Sequence, residues 1–98
     1  MNQFQCVATF AERDAVRYTP AGIPILSAKL LHSSQQLEAG IQRLVEFEIS
    51  AIAAGKMCER LDREELGAVF HFTGFLARRN RNSRSLVFHI TEFENIQY

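Results

Sequence analysis

The sequence predicts an all-β domain with one short helix. Five segments alternate apolar and polar residues at the two-residue period of a half-buried strand. One segment between the third and fourth carries helical spacing instead, and Pro20, Gly22 and Gly40 mark turns between the early segments. At 98 residues the chain can build one modest core and is too short for a second domain, so residues 1–98 are read as one unit.

The first strand is QFQCVATFA, with Phe4, Cys6, Ala8 and Phe10 on one side and Gln3, Gln5, Val7 and Thr9 on the other. RYTPAGIP follows as a turn, Pro20 fixing φ and Gly22 accepting a positive φ, and the second strand is IPILSAKLLH. SSQQLEAG is polar and ends in Gly40, the composition of a hairpin loop. The third strand, IQRLVEFEI, puts Arg43, Val45, Phe47 and Ile49 on one face and Gln42, Leu44, Glu46 and Glu48 on the other.

From Ser50 the period changes. Ile52, Ala53, Met57 and Leu61 form a helical stripe, with Ser50 as N-cap and Gly55 weakening the helix without breaking it. AVFHFTGFLAR and SLVFHITEF then alternate as strands four and five, joined by an arginine-rich segment. Phe70, Phe72 and Leu76 on strand four and Leu86, Phe88 and Ile90 on strand five are the core faces. The opposite faces, Val69, His71, Thr73 and Phe75 with Val87, His89, Thr91 and Phe93, are mixed enough for a ligand surface or a subunit contact, with burial the first reading of Phe75 and Phe93.

Three strands, a helix and two strands in this order fit the five-stranded Greek-key barrel known as the OB-fold. An SH3-like barrel and a small α+β sheet satisfy the same pattern. A core this small also gains from burial against a second subunit.

Lysine plus arginine equals aspartate plus glutamate at 11 each, so net charge points to no polyanionic partner. The distribution does. Arg78, Arg79, Arg81 and Arg84 crowd into seven positions of FLARRNRNSRSLVF, leaving the rest of the chain acidic. Cys6 and Cys58 match no paired metal spacing and read as buried free thiols in a reducing compartment. No stretch approaches membrane-spanning length and the start lacks a basic, then apolar, leader, so the expected location is the cytoplasm. His71 and His89 could face each other across strands four and five, but no third ligand, acid or nucleophile stands at motif spacing, and no cofactor or catalytic site is expected.

RYTPAGIPIL, LEAGIQRLVEFEIS and GFLARRNRNSRSLVFHITEFENIQ together resemble the primosomal replication protein N family, bacterial replication-restart factors related to single-stranded DNA-binding protein. The likeness runs over nearly the whole chain, and the order and spacing of TPAGIP, EAG and GFLA make it specific. It implies an OB-fold homodimer that binds single-stranded DNA, works with the restart helicase and helicase-loading proteins, and catalyses nothing. It also implies that the basic loop between the last two strands touches the nucleic acid.

OB-folds hold single strands with a basic groove for phosphates and flat groups on which bases stack. The candidates are Arg78, Arg79, Arg81 and Arg84 in the loop. Arg13, Arg17, Lys29 and Arg43 extend the track if they face the same side, and Tyr18 is a minor stacking candidate. A guanidinium grips phosphate bidentately and stacks on a base, so arginine suits this role better than lysine. Against binding stand a solvated hairpin tip for the loop and cross-strand pairing of Lys29 or Arg43 with Glu46 or Glu48. The best-known relatives carry exposed aromatics in the second-to-third strand hairpin, where this chain has Ile41 and Glu46 and no tryptophan anywhere. That departure keeps two other readings open: a protein–protein adaptor with weak DNA contact, and a generic RNA-binding OB module.

Overall fold

A computed structural model describes residues 1–96. The strands are β1 (Phe4–Arg13), β2 (Arg17–Tyr18), β3 (Pro24–Glu38), β4 (Ile41–Ala54), β5 (Val69–Arg78) and β6 (Leu86–Asn95), with the helix α1 (Lys56–Asp62) between β4 and β5. The sheet runs β1-β5-β6-β4-β3-β2, and β1 pairs with β3 as well. Five strands therefore close on themselves, β1-β3-β4-β6-β5 and back to β1, which is the OB-fold barrel expected from the sequence. The two-residue β2 is an addition on the outer side of β3.

Closure depends on two local devices. A bulge between Phe10 and Glu12 bends β1, so its first half pairs with β5 and its second half with β3. On the far side β4 meets β6 in a short parallel contact, Ala51 opposite Phe88 and Ile52 opposite His89. Alanine at position 51 leaves room there for the Phe88 ring, which is fully buried.

The barrel is filled by Phe10, Phe70, Phe72, Phe88, Leu26 and Leu30, each under 2% exposed. Phe70 packs edge-on against Phe72 and Phe93, with centroids 5.7 and 5.1 Å away. Each such ring contributes about 2–3 kcal/mol by leaving water. α1 packs against β3, β4 and β6 and brings Cys58 and Leu61 into the core. Cys6 and Cys58 are both free and buried, as their apolar surroundings predicted.

Four sequence readings need correction. The helix starts at Lys56 rather than Ser50: Ile52 and Ala53 belong to β4, the N-cap is Gly55 at φ 64°, and no side chain caps it. SSQQLEAG is strand rather than loop, because β3 and β4 pair from Ile25 with Ala54 out to Glu38 with Ile41. Only Ala39 and Gly40 turn, both at positive φ (51° and 78°), the backbone that a tight primed hairpin turn requires. The β6 faces need correcting at Leu86, 53% exposed, and Val87, 4% exposed, and Phe75 is 38% exposed where burial was expected, whereas Phe93 is buried as expected, at 5%. The register between β5 and β6 slips at Thr73/Gly74, where Thr73 meets Glu92 and Gly74 meets Ile90; Thr91 is the extra residue, and beyond it the parity of β6 reverses. Among the described residues no helix is long and apolar enough to cross a membrane.

Candidate nucleic-acid interface

Alternation along β3, β4, β5 and β6 turns one set of side chains outward. Ser27 stands opposite Ile52, Lys29 opposite Ser50, His89 opposite both Ile52 and Phe75, and Val87 opposite Ala77. The end of β1 and the start of the β5–β6 loop rise on either side of this surface. Between them lies a groove of about 180 Å³ lined by Glu12, Arg13, Asp14, Ser27, Lys29, Ser50, Ile52, Arg79 and Val87.

Four of the nine sequence candidates gather here. Arg13, Lys29 and Arg79 line the groove, and Arg17 reaches its edge by donating from Nη1 to the Ser27 hydroxyl at 2.8 Å. Lys29 and Arg13 also have partners. Lys29 Nζ lies 3.3 Å from Glu48, the cross-strand pairing anticipated for it. Arg13 donates to main-chain oxygens at the end of α1. Both side chains of the Lys29 pair are half exposed, so the pair is weak and open to competition from a phosphate.

The loop at 79–85 is braced internally. Arg79 N–H donates to the Ser85 carbonyl, Asn82 N–H to the Asn80 side chain, and Arg78 Nη1 to the Arg81 carbonyl at 3.1 Å. Arg78, Arg79, Arg81 and Arg84 are all exposed. Arg79 faces the groove, whereas Arg78 commits one donor to its own loop.

The structure does not bring Arg43 or Tyr18 to the groove. Arg43 sits seven residues before Ser50 along β4, about 23 Å away, and its partner is Glu38 rather than Glu46 or Glu48. Tyr18 is 69% exposed but flanks a separate depression beside α1, with Cys58, Glu59 and Asp62. Glu46 likewise lies outside the groove, in a cleft with Val7, Leu31, His32, Phe47 and Val69. His71 and His89 do not face each other: His71 is opposite Glu94, and His89 is opposite Phe75.

A larger depression, about 820 Å³, lies between α1 and the ends of β5 and β6 and includes Arg60, Arg63, His71 and Phe93. Its charge is largely balanced, since Arg60 pairs with Glu92 at 2.8 Å and lies 4.8 Å from the Phe93 ring centre, and His71 lies 3.6 Å from Glu94. The smaller groove differs in adjoining the arginine loop, which brings the exposed Arg79 to its lining. Ser27 and Ser50, which also line it, escaped the sequence reading because lone serines on strands carry no spacing signal.

Residues 2–92 match a family described as another single-strand binding protein family. Similar proteins include the replication restart protein PriB of Nitrosomonas europaea, 44% identical over 91 residues that make up 93% of this chain and 84% of that one. PriB of Bordetella pertussis is 38% identical over 96 residues, 98% of this chain and 90% of that one. Among solved structures, PriB from Ralstonia solanacearum superposes with a TM-score of 0.89 at 47% identity, covering 99% of each chain. The single-stranded DNA binding protein from Thermus aquaticus superposes with a TM-score of 0.72 at 23% identity, over 99% of this chain and 50% of its own, a likeness of fold.

Proposed function

The chain belongs to the PriB replication restart proteins, within a single-strand binding protein family, and from that premise we propose that it binds single-stranded DNA as a cytoplasmic homodimer during replication restart. The observation that carries this reading is the groove in which Arg79 of the loop joins Arg13 and Lys29 over a serine-bearing sheet. Such a surface tracks a phosphate backbone without reading sequence. The role is binding rather than catalysis, with no cofactor. Bridging the restart helicase and the helicase-loading proteins completes it.

What supports the homodimer is the free edge of β1. Between Phe4 and Ala8, β1 has β5 on one side and, among the described residues, no strand on the other, since its pairing with β3 begins at Thr9. Beside that edge Val7, Leu31, Phe47 and Val69 are each 37–47% exposed around one cleft. An edge with no neighbouring strand, its Val7 carbonyl 2.7 Å from His32 Nδ1, next to an apolar patch suits a second copy of the same strand.

One observation favours the adaptor reading. Glu12 and Asp14 share the groove with its cations, while the projecting β3–β4 hairpin exposes Leu37, Ile41 and Leu44, each 59–68% accessible. Titrating the purified protein into labelled oligothymidylate near physiological salt separates the two. Saturable binding at about 10⁻⁴ M or tighter is expected. No binding in that range would leave the protein contacts as the main task, and tighter binding to the same sequence in RNA would favour an RNA module.

A further inference from the structure

On the outer surface of β5 and β6 the Phe75 and His89 rings lie face to face, centroids 4.7 Å apart and planes inclined by only 9°. Phe75 is 38% exposed, so the stack is partly open to solvent.

This ring pair adjoins the groove on two sides. Along the strands, the next pair on that side is Ala77 with Val87, and Val87, though only 4% exposed, lines the groove. That is a step of about 7 Å. Across the sheet, His89 stands opposite Ile52, which also lines the groove. The cations Arg79 and Lys29 therefore lie beside a flat, partly exposed aromatic platform. Planar π-faces beside a phosphate-binding track are what a nucleobase requires, and every base offers a matching face.

We infer that Phe75 and His89 form a base-stacking subsite for single-stranded nucleic acid, extending the groove. The inference rests on the proposed single-strand binding. The occupant is a base rather than a protein side chain because the adjoining surface carries cations and serines, whereas the apolar cleft suited to a second copy lies around Val7 and Leu31.

The test compares wild type with Phe75→Leu, which keeps an apolar side chain but removes the ring, and with Phe75→Tyr, which keeps it. Each is titrated against a thymidine oligonucleotide and an abasic oligonucleotide of equal length, about 16 nucleotides. Phe75→Leu should lose roughly tenfold on the thymidine strand and less than about twofold on the abasic one, with Phe75→Tyr near wild type. Equal losses on both strands, no loss on either, or a changed sedimentation coefficient in place of a changed affinity would overturn the subsite. If Phe75→Leu is silent while replacing the loop arginines abolishes binding, the subsite alone fails. Wild type binding neither strand would overturn the single-strand reading and the subsite with it.

Discussion

Arg13 reaches from the end of β1 to the end of α1, donating from Nη1 to the main-chain carbonyl of Asp62 at 2.7 Å and to that of Glu64 at 2.8 Å. The last carbonyls of a helix have no intrahelical donor, and they carry partial negative charge. One guanidinium thus fastens the barrel to its helix. Arg13→Ala should cost about 1–2 kcal/mol, read as a lower urea midpoint at unchanged slope. Because this arginine is committed to backbone oxygens, its loss should weaken single-strand binding less than the loss of Arg79.

The loop arginines divide by what they already hold. Arg79 faces the groove, while Arg78 donates to the Arg81 carbonyl. Among single alanine substitutions Arg79→Ala should therefore weaken binding most. Changing Arg78, Arg79, Arg81 and Arg84 together should flatten the dependence of log affinity on log salt by about 0.7 for each phosphate that is no longer neutralised. Anisotropy titrations over a range of salt read both effects, and an unchanged slope would remove the loop from the interface.

Val7 is 44% exposed beside the open edge of β1, so its replacement should leave the monomer fold intact. Val7→Lys places a charge where the second copy would pack, a device that blunts strand edges. Sedimentation should shift from a species of twice the mass toward the 11.2 kDa monomer. A wild type that sediments at 11.2 kDa at all concentrations would contradict the homodimer.

Much of the barrel was legible because a strand with one solvated face alternates: Phe4, Cys6, Ala8 and Phe10 declared the core side of β1 without ambiguity. The outer half of the β3–β4 hairpin did not, since an arm that projects beyond the barrel is wet on both faces and its strand residues 33–38 read as loop. The helix start was misplaced because Ala51 and Ala53 are small, good helix formers, yet both are buried at barrel closure. For the site, the clustering of arginines was visible, but the partners that occupy Arg13, Lys29 and Arg43 come from the chain's path in space. Charge in a sequence shows what is available, and only geometry shows what is already engaged.

Glu92 supplies an acid-range test. Its carboxylate accepts the Phe93 N–H at 2.9 Å and pairs with Arg60 at 2.8 Å, and these contacts, the backbone bond foremost, hold its pKa below the ordinary value. A carboxyl depressed in the folded state adds stability above its unfolded pKa and loses it as pH falls through the folded value. The group is exposed, so the contribution is a few tenths of a kcal/mol. Glu92→Gln should melt slightly lower than wild type at neutral pH and converge with it in acid. A constant gap across the whole range would mean the difference is packing rather than charge.

Gly74 is where the fold and the site meet. It sits at the register slip between β5 and β6, and a Cβ there would come within 1.8 Å of the His89 carbonyl oxygen and 2.7 Å of the Phe88 ring. The first obstacle is backbone and the second is a fully buried ring, so neither can step aside cheaply. Gly74→Ala should cost roughly 3 kcal/mol or more. Gly67→Ala is the control: nothing lies within 4 Å of its Cβ, and only its φ of 94° opposes a side chain, a cost nearer about 1–2 kcal/mol. Forcing β6 away from Gly74 would also part Phe75 from His89 and shift the loop that carries Arg79. Reduced oligonucleotide affinity should therefore accompany the lower melting temperature in Gly74→Ala and be absent in Gly67→Ala. Equal stability and equal binding in the two variants would mean that the slip at Thr73/Gly74 does not fix the geometry of the β5–β6 surface.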